Sequence, residues 1–140
     1  MAAAAAFPAA CGDDDGGSGG ERSSKPAFVK EAEQICRDQA LLLKVQLARE
    51  FGRAKISESE LVAFTKSTAI PNIEHQLERL RALPQPDEDR STLEDYYREY
   101  ERGIEQLREN PSLVTEEAVP PAFTRANQLA REYGIGDCVR

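Results

Sequence analysis

Between residues 26 and 133, apolar side chains recur at intervals of three and four, the period of an amphipathic helix. Prolines, glycines and capping residues cut that pattern into four segments. The first helix is expected over Pro26 to Phe51, with Phe28, Ala32, Ile35, Leu42, Leu43 and Leu47 on its apolar face. Ser23 or Ser24 would cap it and Gly52 would supply a left-handed stop. Cys36, one turn past Ala32, falls on the same face. Ser57 and Glu60 form a capping box that opens the second helix through Leu61, Val62 and Phe64. Pro71 lacks an amide proton and crowds the preceding turn, so a kink or break is expected near Ala69 and Ile70. The pattern then resumes at Ile70, Ile73, Leu77 and Leu80 and stops at Pro84 and Pro86.

Asp89 or Ser91 would cap the third helix, which carries Leu93, Tyr96, Tyr97, Tyr100, Ile104 and Leu107 and ends at Asn110-Pro111. Thr115 would cap a short segment before Pro120-Pro121. The fourth helix then runs from Pro121 to Tyr133, with Phe123, Ala126, Leu129, Ala130 and Tyr133 inward and Gly134-Ile135 as its C-terminal cap. Four amphipathic helices joined by short loops predict an all-α fold, an antiparallel four-helix bundle with a Pro-kinked second helix. Up-down-up-down winding puts the start of the first helix near the end of the fourth, and so Cys36 near Cys138, provided that the tail folds back along the bundle or the first helix begins beyond it.

Upstream of residue 26 the character changes. Ala9 and Ala10 precede Cys11, and Asp13, Asp14 and Asp15 with five glycines between Gly12 and Gly20 cannot join a packed core. This order suggests three parts: a truncated leader (1–10), a lipidated Cys11 with an acidic tether (11–25), and one helical domain (26–140). The leader is short, lacks Lys or Arg before its alanines and carries Pro8, so the true start is expected upstream. Lipidation of Cys11 would leave Cys36 and Cys138 as an even pair, a disulfide in an oxidising compartment. Three reduced cytosolic thiols are the alternative.

Of the formal charge of −7, the three tether aspartates leave −4 on the rest. No basic patch offers the phosphate contacts that dominate nucleic-acid binding, so that partner class is not expected. No run of eighteen apolar residues could cross a membrane.

The ordered features are Cys11 with its tether, Ala-Glu-Gln-Ile-Cys at 32–36, and Gln-Leu-Glu-Arg-Leu-Arg-Ala-Leu-Pro at 76–84. They continue with a Tyr-rich third helix and Ala-Asn-Gln-Leu-Ala-Arg-Glu-Tyr-Gly-Ile from Ala126 towards Cys138. Together these resemble a group of small, uncharacterised helical lipoproteins of high-GC Gram-positive (actinobacterial) bacteria. The resemblance implies a surface-anchored bundle closed by a disulfide, with the membrane as partner through the anchor, and no activity to carry over.

Motifs that carry chemistry are scarce. His75 is the single histidine, and Asn72 stands where a di-iron bundle would need Glu, so neither that site nor haem is expected. The run from His75 to Glu78 is similar to a short motif of imelysin-type surface proteins, making these two a weak metal candidate. A boundary histidine on a charged helix explains them as well. Tyr96, Tyr97 and Tyr100 could line a ligand cleft, or form core with rings inward. No nucleophile elbow or Cys–His pair is present, so a non-enzymatic role without cofactors is expected. The reading that follows is a lipid-anchored binding or envelope-associated module for an unidentified protein or small molecule. Its rivals are a cytosolic partner-binding regulator with a disordered tail, and a small-ligand carrier using a cleft opened by Pro71.

Overall fold

In a computed structural model of the chain, residues 23–114 and 121–140 are described; Cys11, its tether up to residue 22 and the segment expected to be capped by Thr115 lie outside them. The α-helices are α1 (Lys25–Phe51), α2 (Glu58–Phe64), α3 (Ile70–Ala82), α4 (Arg90–Glu109) and α5 (Thr124–Tyr133). α2 and α3 join through a π-helical turn, Thr65–Ala69, into one rod, giving an all-α bundle of four helical rods with no strand among the described residues.

Local chemistry sets the boundaries. The Ser24 hydroxyl accepts the Ala27 amide at 3.4 Å with Pro26 in the first turn, and Gly52, at φ +62°, donates its amide to the Ala48 carbonyl. α2 opens on a closed capping box. The Ser57 hydroxyl takes the Glu60 amide at 3.3 Å, and Glu60 accepts the Ser57 amide at 2.8 Å. α5 ends at Gly134, φ +102°, whose amide and that of Ile135 both reach the Ala130 carbonyl, at 3.0 and 2.9 Å.

The hydrogen bonds from the Ser57 hydroxyl, and then its amide, hold the Glu60 carboxyl below its ordinary value near 4.5. A depressed carboxylate contributes stability above its unfolded pKa and loses it as pH falls through the folded one. Exchange protection of the Ser57 amide, which donates to that carboxylate, is therefore expected to fade as pH falls through the ordinary Glu range while α4 amides keep theirs. Glu60→Gln should abolish that pH dependence, and a Ser57 amide as protected at pH 3 as at pH 7 would contradict it.

Pro71 does not break the second rod. The buried positions are Phe64 at the end of α2, Thr65 and Ala69 in the π turn, and Ile70, Ile73, Leu77 and Leu80 in α3. The buried pair Phe64-Thr65 is followed by the buried pair Ala69-Ile70 five residues on, one residue more than an α-helix keeps on one face. The π turn absorbs it, with the Ile70 amide reaching back five residues to the Thr65 carbonyl. Helix continues through the proline because Pro71 stands in the first turn of α3.

Two further expectations change. Asp89 precedes α4 but makes no side-chain cap; its carboxylate accepts the Tyr133 hydroxyl at 2.8 Å instead. Ser91 lies inside α4. Leu42, read as a core position, is 46% exposed. Half-buried Leu43 and Leu47 share the side of α1 that brings Phe51 onto Phe64, ring centroids 5.8 Å apart, while Leu42 points elsewhere.

Neighbouring rods run antiparallel. Glu74 and Arg81 of α3 pair with Arg108 and Glu101 of α4, and Phe28 near the start of α1 meets Tyr133 at the end of α5, centroids 5.9 Å apart. The core is one cluster of Phe28, Ile35, Leu80, Leu93, the three α4 tyrosines, Leu107, Phe123, Ala130 and their neighbours. After Gly134 the tail folds back across α1 as a turn of 3₁₀ helix, Gly136–Cys138, which brings the Cys138 and Cys36 Cα atoms to 5.0 Å in a disulfide. No described helix is long and apolar enough to cross a membrane.

Candidate functional site

Tyr96, Tyr97 and Tyr100 occupy the inward face of α4 at spacings of one and three, and all three are at most 1% exposed. Tyr96 lies against both others, with centroids 5.6 Å from Tyr97 and 5.7 Å from Tyr100, and Tyr100 packs on Phe123 at 5.2 Å. Their hydroxyls have different fates. Tyr97 donates to the Leu80 carbonyl at 3.3 Å, Tyr100 accepts from Arg140 Nε at 2.9 Å, and Tyr96 has no partner among the described residues.

Burial pushes all three phenols above their ordinary value. The effect is reinforced at Tyr97 by Glu94 and opposed at Tyr96 and Tyr100 by Arg140. They are neutral at any physiological pH. What they can do chemically is donate or accept a hydrogen bond, and a ligand would reach them only through an opened bundle.

The disulfide belongs to the same buried core cluster. Both cysteines are 1% exposed, and Gln76, fully buried on α3, donates Nε2 to Cys36 Sγ at 3.2 Å. Gln76 Oε1 finds no partner among the described residues. Beyond Cys138, the Arg140 backbone is held on both sides by Asn127. Its carbonyl accepts Nδ2 at 2.6 Å and its amide donates to Oδ1 at 2.7 Å. An Arg37–Asp137 ion pair ties the 3₁₀ turn to α1. Cys11 falls outside the described residues.

His75 and Glu78 stand 3.6 Å apart on the open face of α3, with side chains 63% and 78% exposed. No group of three or more His, Cys, Asp or Glu is placed to hold a metal ion among the described residues.

Glu78 also borders a surface groove of about 510 Å³ between α3 and α4. Leu77 and Ile104 form its floor, and the Glu74–Arg108 and Arg81–Glu101 ion pairs bridge it. This groove does separate the second and third rods, where a Pro71 cleft was expected, but Pro71 does not line it. With two leucine-like floor residues and a zwitterionic rim, it offers little enclosed apolar surface, unlike the mostly apolar clefts that hold small ligands.

Against known proteins, the chain matches no family model, no curated protein and no solved structure. Its function therefore rests on its own residues.

The sequence pattern gave no sign of Gln76, Asn127 and Arg140, which fix the disulfide and tail. Polar residues inside amphipathic helices carry no periodic signal that separates a buried amide from a solvated one.

Proposed function

We propose that the protein is a lipid-anchored, extracytoplasmic helical bundle that works as a non-enzymatic binding or envelope-associated module. The observation that carries this reading is the buried Cys36–Cys138 disulfide, which pairs two of three cysteines and leaves Cys11 alone beside an acidic glycine-rich stretch. Structural disulfides persist in oxidising compartments, and a single remaining cysteine after small residues is the acceptor that lipid attachment requires. Two or three acyl chains on one residue suffice for stable membrane residence without a spanning helix.

The non-enzymatic part draws on the site chemistry. The core tyrosines are neutral, and the exposed carboxylates of the α3–α4 groove are taken up in ion pairs or open to water. Partners in this reading are the membrane, through the anchor, and an unidentified protein or small molecule; nucleic acid is not among them.

Expressed in an actinobacterial host from a gene with its upstream leader, the wild-type chain should sediment with membranes. Cys11→Ala should move most of it to the soluble or secreted fraction with its disulfide intact. A Cys11→Ala protein that stays as membrane-bound as the wild type would overturn the anchor.

A further inference from the structure

The second half of α1 carries an outward apolar stripe that nothing in the described structure covers. Leu41 is 63%, Leu42 46% and Val45 38% exposed, the large hydrophobic side chains most open to water among the described residues. α5 is only ten residues long and the tail crosses α1 near Cys36, so neither reaches this part of the helix. α2 packs through Phe64 against Phe51, on the other side of α1.

Charges flank the stripe in a particular order. Asp38, Leu42, Val45 and Arg49 follow at intervals of four, three and four, which places them on one helical face. The spacing reads the same in both directions, but the end charges are opposite. A second copy of α1 laid antiparallel across a two-fold axis, midway between residues 43 and 44, sets Leu42 against Val45 and Asp38 against Arg49, twice over. A parallel copy would set like charges together. Isologous two-fold contacts demand this self-complementarity, residue i on j and j on i. Both charged residues are exposed; Asp38 accepts a hydrogen bond from Gln34 at 2.7 Å, and neither Asp38 nor Arg49 has an ion-pair partner among the described residues. A lipid surface would gain nothing from a carboxylate at one end of the stripe.

We propose that the protein forms a two-fold symmetric homodimer through antiparallel packing of the Asp38–Arg49 face of α1 on the same face of a second copy. The inference is independent of whether the chain is lipid-anchored. The contact is one helix pair wide, smaller than the roughly 1,200 Å² of a standard interface, so association is weak and develops at about 0.1–1 mM.

Sedimentation velocity on the 140-residue chain, from about 10 μM to 1 mM, tests it. The expected result is a mass that rises from 15.5 kDa towards twice that value. Leu42→Glu should hold the chain monomeric with unchanged helical circular dichroism. Asp38→Arg should weaken association at least about tenfold, because symmetry converts two attractive pairs to repulsive ones. Asp38→Arg with Arg49→Asp should restore it to within about threefold. A monomer at every concentration overturns the proposal. A dimer that Leu42→Glu leaves intact, or that the double charge swap fails to restore, overturns this pairing.

Discussion

Replacing Cys36 and Cys138 together with Ala is expected to lower the unfolding free energy by about 3–5 kcal/mol and the melting temperature by roughly 15 °C. The cross-link closes a loop of sequence separation 102, for which the chain-entropy account gives about 4.7 kcal/mol, with native strain able to reduce it. Losses beyond entropy follow from the surroundings. Gln76 donates to Cys36 Sγ inside the core, and an Ala at 36 leaves that buried donor with no acceptor, next to a side-chain oxygen that already has no partner among the described residues. Cys36→Ser with Cys138→Ser, which keeps an acceptor near Gln76, should therefore lose less than the Ala pair. Because both sulfurs are buried, a mild reductant should reach the bond only as fast as the bundle opens. Chemical denaturation of oxidised, reduced and doubly substituted protein measures all of this. A loss under about 1 kcal/mol would mean that helix packing alone holds the tail.

The second large effect falls at Gly103, in the middle of α4. A β-carbon there would lie 2.6 Å from both Phe123 Cδ1 and Cε1 and 3.0 Å from the Ala122 carbonyl oxygen. Phe123 cannot turn aside, since it is fully buried and packed on Tyr100. In an exposed helix Gly→Ala gains about 1 kcal/mol. At Gly103 overpacking reverses the sign, and Gly103→Ala is expected to cost about 2 kcal/mol net. Gly136→Ala, whose β-carbon would meet nothing within 4 Å, serves as the neutral control. Adding Phe123→Leu to Gly103→Ala should recover part of the loss. A Gly103→Ala protein as stable as wild type would show that the Ala122-Phe123 turn before α5 lies farther from α4.

These two sites illustrate what the sequence made legible. Helix ends with a local chemical cause within four residues were readable, as at Ser24, the Ser57–Glu60 box and Gly134, whereas α4 starts with no side-chain cap. The disulfide partner could be anticipated from winding direction, and the tyrosine stripe from its spacing. Gly103 could not, because the cause is Phe123, twenty residues away, and a glycine within a helix reads only as a weak position.

The π turn had a signal, the step of five between the pairs Phe64-Thr65 and Ala69-Ile70, but Pro71 just beyond drew the expectation towards a kink or break. Leu42 was misplaced for a different reason. Its interval fits an apolar face, yet whether that face is covered depends on the ten-residue length of α5 and on where the tail crosses α1. For the candidate site, the ring positions were foreseeable and the fates of the hydroxyls were not, since these depend on Leu80 and Arg140 from other segments.

The most direct test of an anchored, disulfide-closed bundle outside the cytoplasm is the intact mass of the protein from its native host, with and without reduction and alkylation. The account predicts a chain that begins at a diacylglyceryl-modified Cys11, with two alkylation sites that appear only after reduction. An unprocessed chain with three thiols reactive on unfolding without reductant would contradict it and favour a cytosolic partner-binding regulator.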